Sequence, residues 1–454
     1  MTQEARDPRA IMRETPMSAF QKMAVSVTVL LTALDGFDVL AITLAAPGIS
    51  HEWNIDHSIL GMIFAAGFTG MAAGALLLAP AADIFGRRSL LFTSLGLMGL
   101  GMLMGALAAN VPILMASRLV AGLGIGAMLS LVNPLATEFA SEKGRDLSLS
   151  LMAIGYPIGG VLGAGAASLL LGHFDWRAIF YLGASLAALA TPIVWIWLPE
   201  PLSFLIESPR CDALSRVNRL LRLCGIDEVS ALPAPASRQG RLPLAALFAS
   251  DRVASTIRVT MINLLFVVPV QYILSWLPQL VADLGFSAAQ AASVSFAANI
   301  AGVAGGICLG WLAGLFGLQR MAFVIFLGFA IICTAFAQSP ANLPILRGMA
   351  MLLGFFLFAG MSALHAIVSR AFPDHLRASG AGFVLGIGRA GSAISPVIVG
   401  SLFAAGVGRG TMSLAMTASA SVAAALLVAL RLRSQGTRPT DRRSGGARQD
   451  GTNE

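Results

Sequence analysis

Residues Leu31–Ser50 read LTALDGFDVLAITLAAPGIS, a run of side chains suited to hydrocarbon except for Asp35 and Asp38. An aspartate at the bilayer centre costs roughly 2.5 to 3.5 kcal/mol on the gentlest insertion scales. Two of them in one apolar segment need a use. At i and i+3 their side chains leave a helix from nearly one face, and Gly36 between them lets another helix or a ligand approach the backbone. Two carboxylates so placed in a dry cavity resist being ionised together, because each charge repels the other and lacks water. One of the pair, Asp35 or Asp38, is thus expected to carry a proton. The alternative is that the acids brace a helix break through an arginine partner.

Composition supplies the setting. Of 454 residues, 56% are hydrophobic and 12% charged, against about 25% charged in a soluble domain. Apolar segments predict spanning helices at 23–48, 58–81, 89–109, 112–138, 148–171, 178–198, 256–280, 290–313, 321–338, 343–369, 379–404 and 411–430. The chain reads as an all-α membrane protein of twelve transmembrane helices. Its first segment outruns a signal peptide and has no small-residue cleavage site after it, so the polar arm before it is expected to stay. Cys211, Cys224, Cys308 and Cys333 show no CxxC spacing, which argues against a disulfide framework or a metal site.

The net charge of +7 raises the question of a nucleic-acid partner, and position answers it. Among the 30 Lys and Arg, Arg177 and Arg409 fall in odd-numbered loops and Arg118, Arg347 and Arg389 within helices. The others lie in the N-terminal arm, the even-numbered loops and the C-terminal tail, so the positive-inside rule puts both termini in the cytoplasm of a multi-pass protein of the cell's inner membrane. The basic balance is topology, and no nucleic-acid partner is expected. The expected partners are the lipid bilayer, protons and a small organic solute, and the chain is expected to be monomeric.

One long polar stretch, 199–255, divides the chain into a six-helix bundle at 23–198 and another at 256–430, flanked by an arm at 1–22 and a tail at 431–454 that is too polar to fold. The stretch holds two short amphipathic pieces and a proline-rich linker. The halves echo each other as pseudo-symmetric repeats: RLVAGLGIGA (118–127) against RGMAMLLGFF (347–356), and GALLLAPAADIFGRR (74–88) against GGICLGWLAGLFGLQR (305–320). Parallel repeats of this kind put a binding site at their interface near the midplane. In the first of these turns Asp83 precedes Gly86, Arg87 and Arg88; glycine permits a tight turn, and the arginines can pair with acids and with helix-end carbonyls. That spacing reads as a conformational latch rather than a merely topogenic loop.

The Asp83, Gly86, Arg87, Arg88 pattern resembles the loop signature of the major facilitator superfamily, and RLVAGLGIGA resembles its helix-four signature. DGFD (35–38), ATEFASEKGR (136–145), GYPIGG (155–160) and FPDHLRASGAGFVLGIGRAGSAISP (372–396) resemble, more narrowly, the aromatic acid:proton symporters of that superfamily. The resemblance implies the major facilitator fold, proton-coupled import of a small aromatic carboxylate by alternating access, and importance for Asp35, Asp38, Asp83, Arg118, Glu138, Arg377 and Arg389. The sequence departs from the family pattern at Ala79, Ile84 and Gly314, the last standing where an aspartate is usual.

Arg389 sits among glycines, where a guanidinium suits a bidentate grip on a carboxylate; a structural ion pair with Asp35 or Asp38 is its alternative. Arg118 and Glu138 lie at opposite ends of one helix and cannot pair with each other; Arg118 is expected to couple to a neighbouring helix and Glu138 to loop arginines, both in gating. Gln271, Tyr272, Trp276 and Asn299 are expected to line a ring-binding cavity, with an interfacial anchor as the alternative for Trp276. His365 is a candidate shuttle or a packing histidine. GLGIGA (122–127) lacks the strand and lysine of a nucleotide loop, so neither an enzyme nor ATP-driven transport is read, and no cofactor is called for. Export on the same fold is a rival, disfavoured because Tyr156 separates Gly155 from Pro157. A transport-dead sensor is a second rival, kept by Gly314.

Overall fold

A computed structural model of the chain describes residues 7–207, 212–233, 247–249, 253–373 and 376–429. Among the described residues, twelve helices long and apolar enough to cross a membrane stand where the hydropathy puts them: α1 (Ala19–Trp53), α2 (His57–Ala73, prolonged by the π turn Gly74–Leu78), α3 (Arg87–Ala106), α4 (Val111–Phe139), α5 (Arg145–Leu170), α6 (Arg177–Trp197), α7 (Val253–Ala282), α8 (Ala288–Phe316), α9 (Leu318–Gln338), α10 (Leu343–Ala371), α11 (Arg377–Ala404) and α12 (Arg409–Val428). Short helices at Pro8–Glu14, Leu202–Glu207 and Ala213–Leu223 lie outside the spans. The expected disordered tail at 431–454 lies outside the described residues, as does most of the proline-rich linker.

Local chemistry fixes the helix ends. Ser18 and Gln21 form a reciprocal capping box at the start of α1, and Ser287 and Gln290 form another at α8. Asn110 caps α4 and Asn342 caps α10, each followed two residues on by a proline suited to a first turn. Gly86 (φ 97°) and Gly317 (φ 86°) start α3 and α9 from a backbone shape open to glycine.

These matched caps set the register of the internal repeat, and they correct one pairing read from the sequence. Counted from Asn110 and Asn342, the counterpart of Arg118 is Ala350, not Arg347. Arg347 lies one turn nearer its helix start, exposed, with Nε and Nη2 donating to Ser293 Oγ at 3.1 and 2.8 Å. The turns do match as read, so Asp83 and Gly314 occupy equivalent places.

Packing repeats with the same register. In the first half α1 packs on α5, α2 and α3 on α4, and α3 on α6; in the second half α7 packs on α11, α8 and α9 on α10, and α9 on α12. Across the halves α2 meets α11, α5 meets α8, and α1 meets α7. Adding six to each helix number exchanges these pairs, as a two-fold repeat requires. The cross-half approaches described next lie toward the end of the molecule away from the start of α1 and the end of α12, here the far end. There Gly61 on α2 lies against the Pro396 carbonyl and Gly400 of α11 against the His57 carbonyl, and Gly165 on α5 faces the Phe296 ring.

Candidate functional site

Asp35 and Asp38 are 0% and 1% exposed on α1. Neither carboxylate has a hydrogen-bond partner among the described residues. Gly36 does serve close approach, and the partner is a helix: a Cβ there would collide with the Tyr156 carbonyl of α5. Tyr156 lies within electrostatic reach of Asp35.

Asp38 shares a cavity of about 30 Å³ with Arg118, walled by Ile42, Phe64, Phe68 and Met71, room for a water molecule. Arg118 is 3% exposed. Its Nη2 faces Met102 Sδ at 3.3 Å, and its guanidinium lies 4.9 Å from the Phe180 ring centroid. Arg118 and Asp38 influence each other electrostatically, yet no ion pair joins them among the described residues. The arginine facing the acid pair is therefore Arg118 on α4. Arg389 on α11 is solvent-accessible, forms no hydrogen bond or ion pair among the described residues, and lies within electrostatic reach of His365, itself accessible.

The residues proposed for a ring cavity separate. Tyr272 turns to the second half's own core, its hydroxyl 3.2 Å from Ser413 Oγ on α12. Gln271 Nε2 donates to Ser275 Oγ at 2.7 Å. Trp276 is 0% exposed, so it is no interfacial anchor. It packs edge-on to Phe64 at 5.3 Å, stacks on His57 at 5.8 Å and meets Phe403 at 5.4 Å, in a knot that joins the halves at the far end. Beside this knot His57 Nε2 and Asp283 Oδ2 approach to 2.9 Å, and Gln279 Nε2 donates to Asp283 Oδ1 at 2.8 Å. Asn299 alone of the four lies in the small cavity between the halves.

At the end where α1 begins and α12 finishes, Arg87 pairs with Glu138, and Ser203 Oγ donates to Glu138 at 2.6 Å. Arg88 Nη2 donates to the Trp195 carbonyl at 2.6 Å, with the guanidinium over the Trp195 ring at 5.1 Å. Glu200 was not singled out from the sequence. It accepts the backbone N–H groups of Arg87 at 2.6 Å and Arg88 at 3.3 Å, capping α3 from the end of α6. Burial raises the Glu200 carboxyl above the usual range, opposed by these two N–H donors and by the arginine charges. The side chains of Asp83 and Arg377 lie outside the described residues. Another residue without an advance signal is Asn263, fully buried, whose Nδ2 donates to the Val384 carbonyl at 2.8 Å and lies against Gly388, next to Arg389.

Two like helix bundles joined at one end, with unpartnered ionisable groups between their helices, define a membrane transporter rather than an enzyme. The chain belongs to the major facilitator superfamily, whose model matches residues 28–312 and again 259–451. It is 29% identical to a 4-hydroxybenzoate transporter of Pseudomonas aeruginosa over 89% of this chain and 91% of that one. It is also 29% identical to a 3-(3-hydroxy-phenyl)propionate transporter of Escherichia coli, over 87% and 90%. Such relatives bear out the resemblance to the aromatic acid:proton symporters. A crystal structure of a D-xylose-proton symporter superposes with a TM-score of 0.73 at 17% identity, over 92% of this chain and all of the other, which shows the shared fold.

Proposed function

We propose that this protein is a proton-coupled importer of a small aromatic carboxylate, of the benzoate or hydroxybenzoate kind. It works as a monomer in the cell's inner membrane by alternating access, with both termini in the cytoplasm. The observation that carries this reading is the pair of buried, unpartnered carboxylates Asp35 and Asp38, with Arg118 across a water-sized cavity. A bare buried carboxylate with no partner is far costlier than a protonated one, so the pair suits a proton load. The names of the relatives, hydroxylated aromatic acids among them, support the substrate class.

In this reading the far end faces outward and its knot of Trp276, Phe64 and His57 closes the outer path. When that knot parts, the acid pair takes a proton from outside and the carboxylate docks at Arg389. One proton with one monoanion is an electroneutral load, so no net charge moves through a membrane potential worth about 2.3 kcal/mol per 100 mV. The halves then rock about the site. On the cytoplasmic side the anion leaves, and Asp38 releases its proton as Arg118 neutralises the carboxylate left behind. The clamp of Arg87, Glu138 and Glu200, with Asp83, Gly86, Arg88 and Arg377, gates the cytoplasmic end.

The test is uptake of a panel of labelled acids into proteoliposomes, with and without an imposed pH gradient. Uphill accumulation of an aromatic carboxylate that needs the gradient, and that Asp35→Asn and Asp38→Asn abolish, is expected. Gradient-independent accumulation, or wild-type accumulation in both variants, would remove the acid pair from the mechanism.

A further inference from the structure

Asn299 on α8 is 5% exposed and lies where the two halves meet. It lines a cavity of about 20 Å³ with Leu40, Leu44, Ile273, Leu357 and Phe358. Its Nδ2 donates to the Ser295 carbonyl at 2.8 Å. That bond fixes which way the amide points, because a carbonyl accepts only from the NH₂ side. The acceptor, Oδ1, is left buried with no hydrogen-bond partner among the described residues.

The other polar side chains of this cavity are already satisfied. Thr43 Oγ1 donates to the Leu40 carbonyl at 2.8 Å and Ser295 Oγ to the Ala291 carbonyl at 3.5 Å. Asn299 Oδ1 is thus an open acceptor in a hydrocarbon-walled space, and leaving such a group unmatched is costly. Gly160 of α5 lies against it: a Cβ at that position would collide with Oδ1. Since Gly160 and Asn299 belong to opposite halves, parting the far end uncovers the oxygen.

We propose that Asn299 Oδ1 accepts a hydrogen bond from a hydroxyl on the substrate's ring, so that the protein selects hydroxylated aromatic carboxylates over unsubstituted benzoate. The inference rests on the carboxylate-import reading and gives its substrate a chemical class. A phenolic hydroxyl brings the missing donor without a second charge, and the leucine and phenylalanine walls suit the ring that carries it. An ionised carboxylate has no proton to give and cannot take this place. When the far end closes, Gly160 returns over Oδ1 and the hydrogen bond is lost, which loosens the substrate on the side where it leaves.

Calorimetry on the purified full-length protein tests this with benzoate and its 2-, 3- and 4-hydroxy derivatives. At least one hydroxy isomer should bind about tenfold or more tightly than benzoate, because a site with a polar group built for a hydroxyl rejects the ligand lacking it. Asn299→Leu should erase that preference, bringing the hydroxy acid and benzoate to the same affinity, while an unchanged helical circular-dichroism spectrum and monodisperse elution report an intact fold. Wild-type protein that binds benzoate as tightly as every isomer overturns the proposal without help from any variant, and so does a preference that survives Asn299→Leu. If neither benzoate nor any isomer binds, the carboxylate reading itself fails and this one falls with it.

Discussion

Replacing Asp38 by asparagine distinguishes a carboxyl that holds a proton from one that is half of a buried ion pair. Both side-chain oxygens are buried without partners, and no ion pair to Arg118 is formed among the described residues. Removing one partner from a buried ion pair costs roughly 3 to 5 kcal/mol, because the other charge is stranded. A protonated carboxyl with no hydrogen bond to lose is matched in shape and charge by an amide, so Asp38→Asn should change the unfolding free energy by no more than about 1 kcal/mol, the scale of one hydrogen bond. The transport phenotype should be out of proportion to this: uphill uptake lost, with exchange of substrate down its own gradient retained. Reversible unfolding in detergent gives the first quantity, and paired uptake and exchange assays in proteoliposomes give the second. A loss of 3 kcal/mol or more would mean that Asp38 is ionised and paired in this conformation. Retained uphill uptake would mean that it carries no proton.

Arg389→Lys keeps the charge but loses the planar fork, and it should weaken acid binding in calorimetry about tenfold, equivalent to roughly 1.4 kcal/mol; Arg389→Ala should remove nearly all binding. Glu200→Ala strips the cap from the Arg87 and Arg88 N–H groups and should cost about 1 kcal/mol in an unfolding titration, with slower transport as the clamp opposite the far end loosens. Gly314→Asp should leave expression and uptake near wild type, because among the described residues nothing beyond its own turn of helix lies within 4 Å of a Cβ built there, whereas Asp83→Asn should slow uptake severely. Burial pushes the Cys224 thiol up to about 11, so the thiolate is scarce at neutral pH; mass spectrometry after iodoacetamide treatment should show little labelling of Cys224 at pH 7.5 and a rise as the pH climbs toward 11.

Much of this architecture could be read along the chain because the constraint is one-dimensional. A segment must be long and apolar enough to cross hydrocarbon, and its ends need capping groups at fixed offsets, as at Ser18 with Gln21 or at Asn110 and Asn342. Asp35 and Asp38 announce themselves in the same way, as charges in a segment that excludes charge. What a side chain faces is a different matter. In a twelve-helix bundle nearly every helix is apolar all round, so its pattern does not say which face meets its own half, the opposite half or lipid.

Only packing could therefore set Arg118, rather than Arg389, across from Asp38, and turn Tyr272 toward Ser413 of its own half. The same packing buried Trp276 in the far-end knot. Glu200 carried no signal because its role is to cap a helix more than a hundred residues earlier in the chain. Asn299 could be read along the chain as a cavity candidate, but which end of its amide is open was decided by a single hydrogen bond to Ser295. The sequence determined the number of spans, their repeat and the presence of chargeable groups inside them. Tertiary structure decided which of those groups are neighbours, because a buried charge or dipole takes its meaning from the few atoms within reach, and these come from helices far apart in the chain.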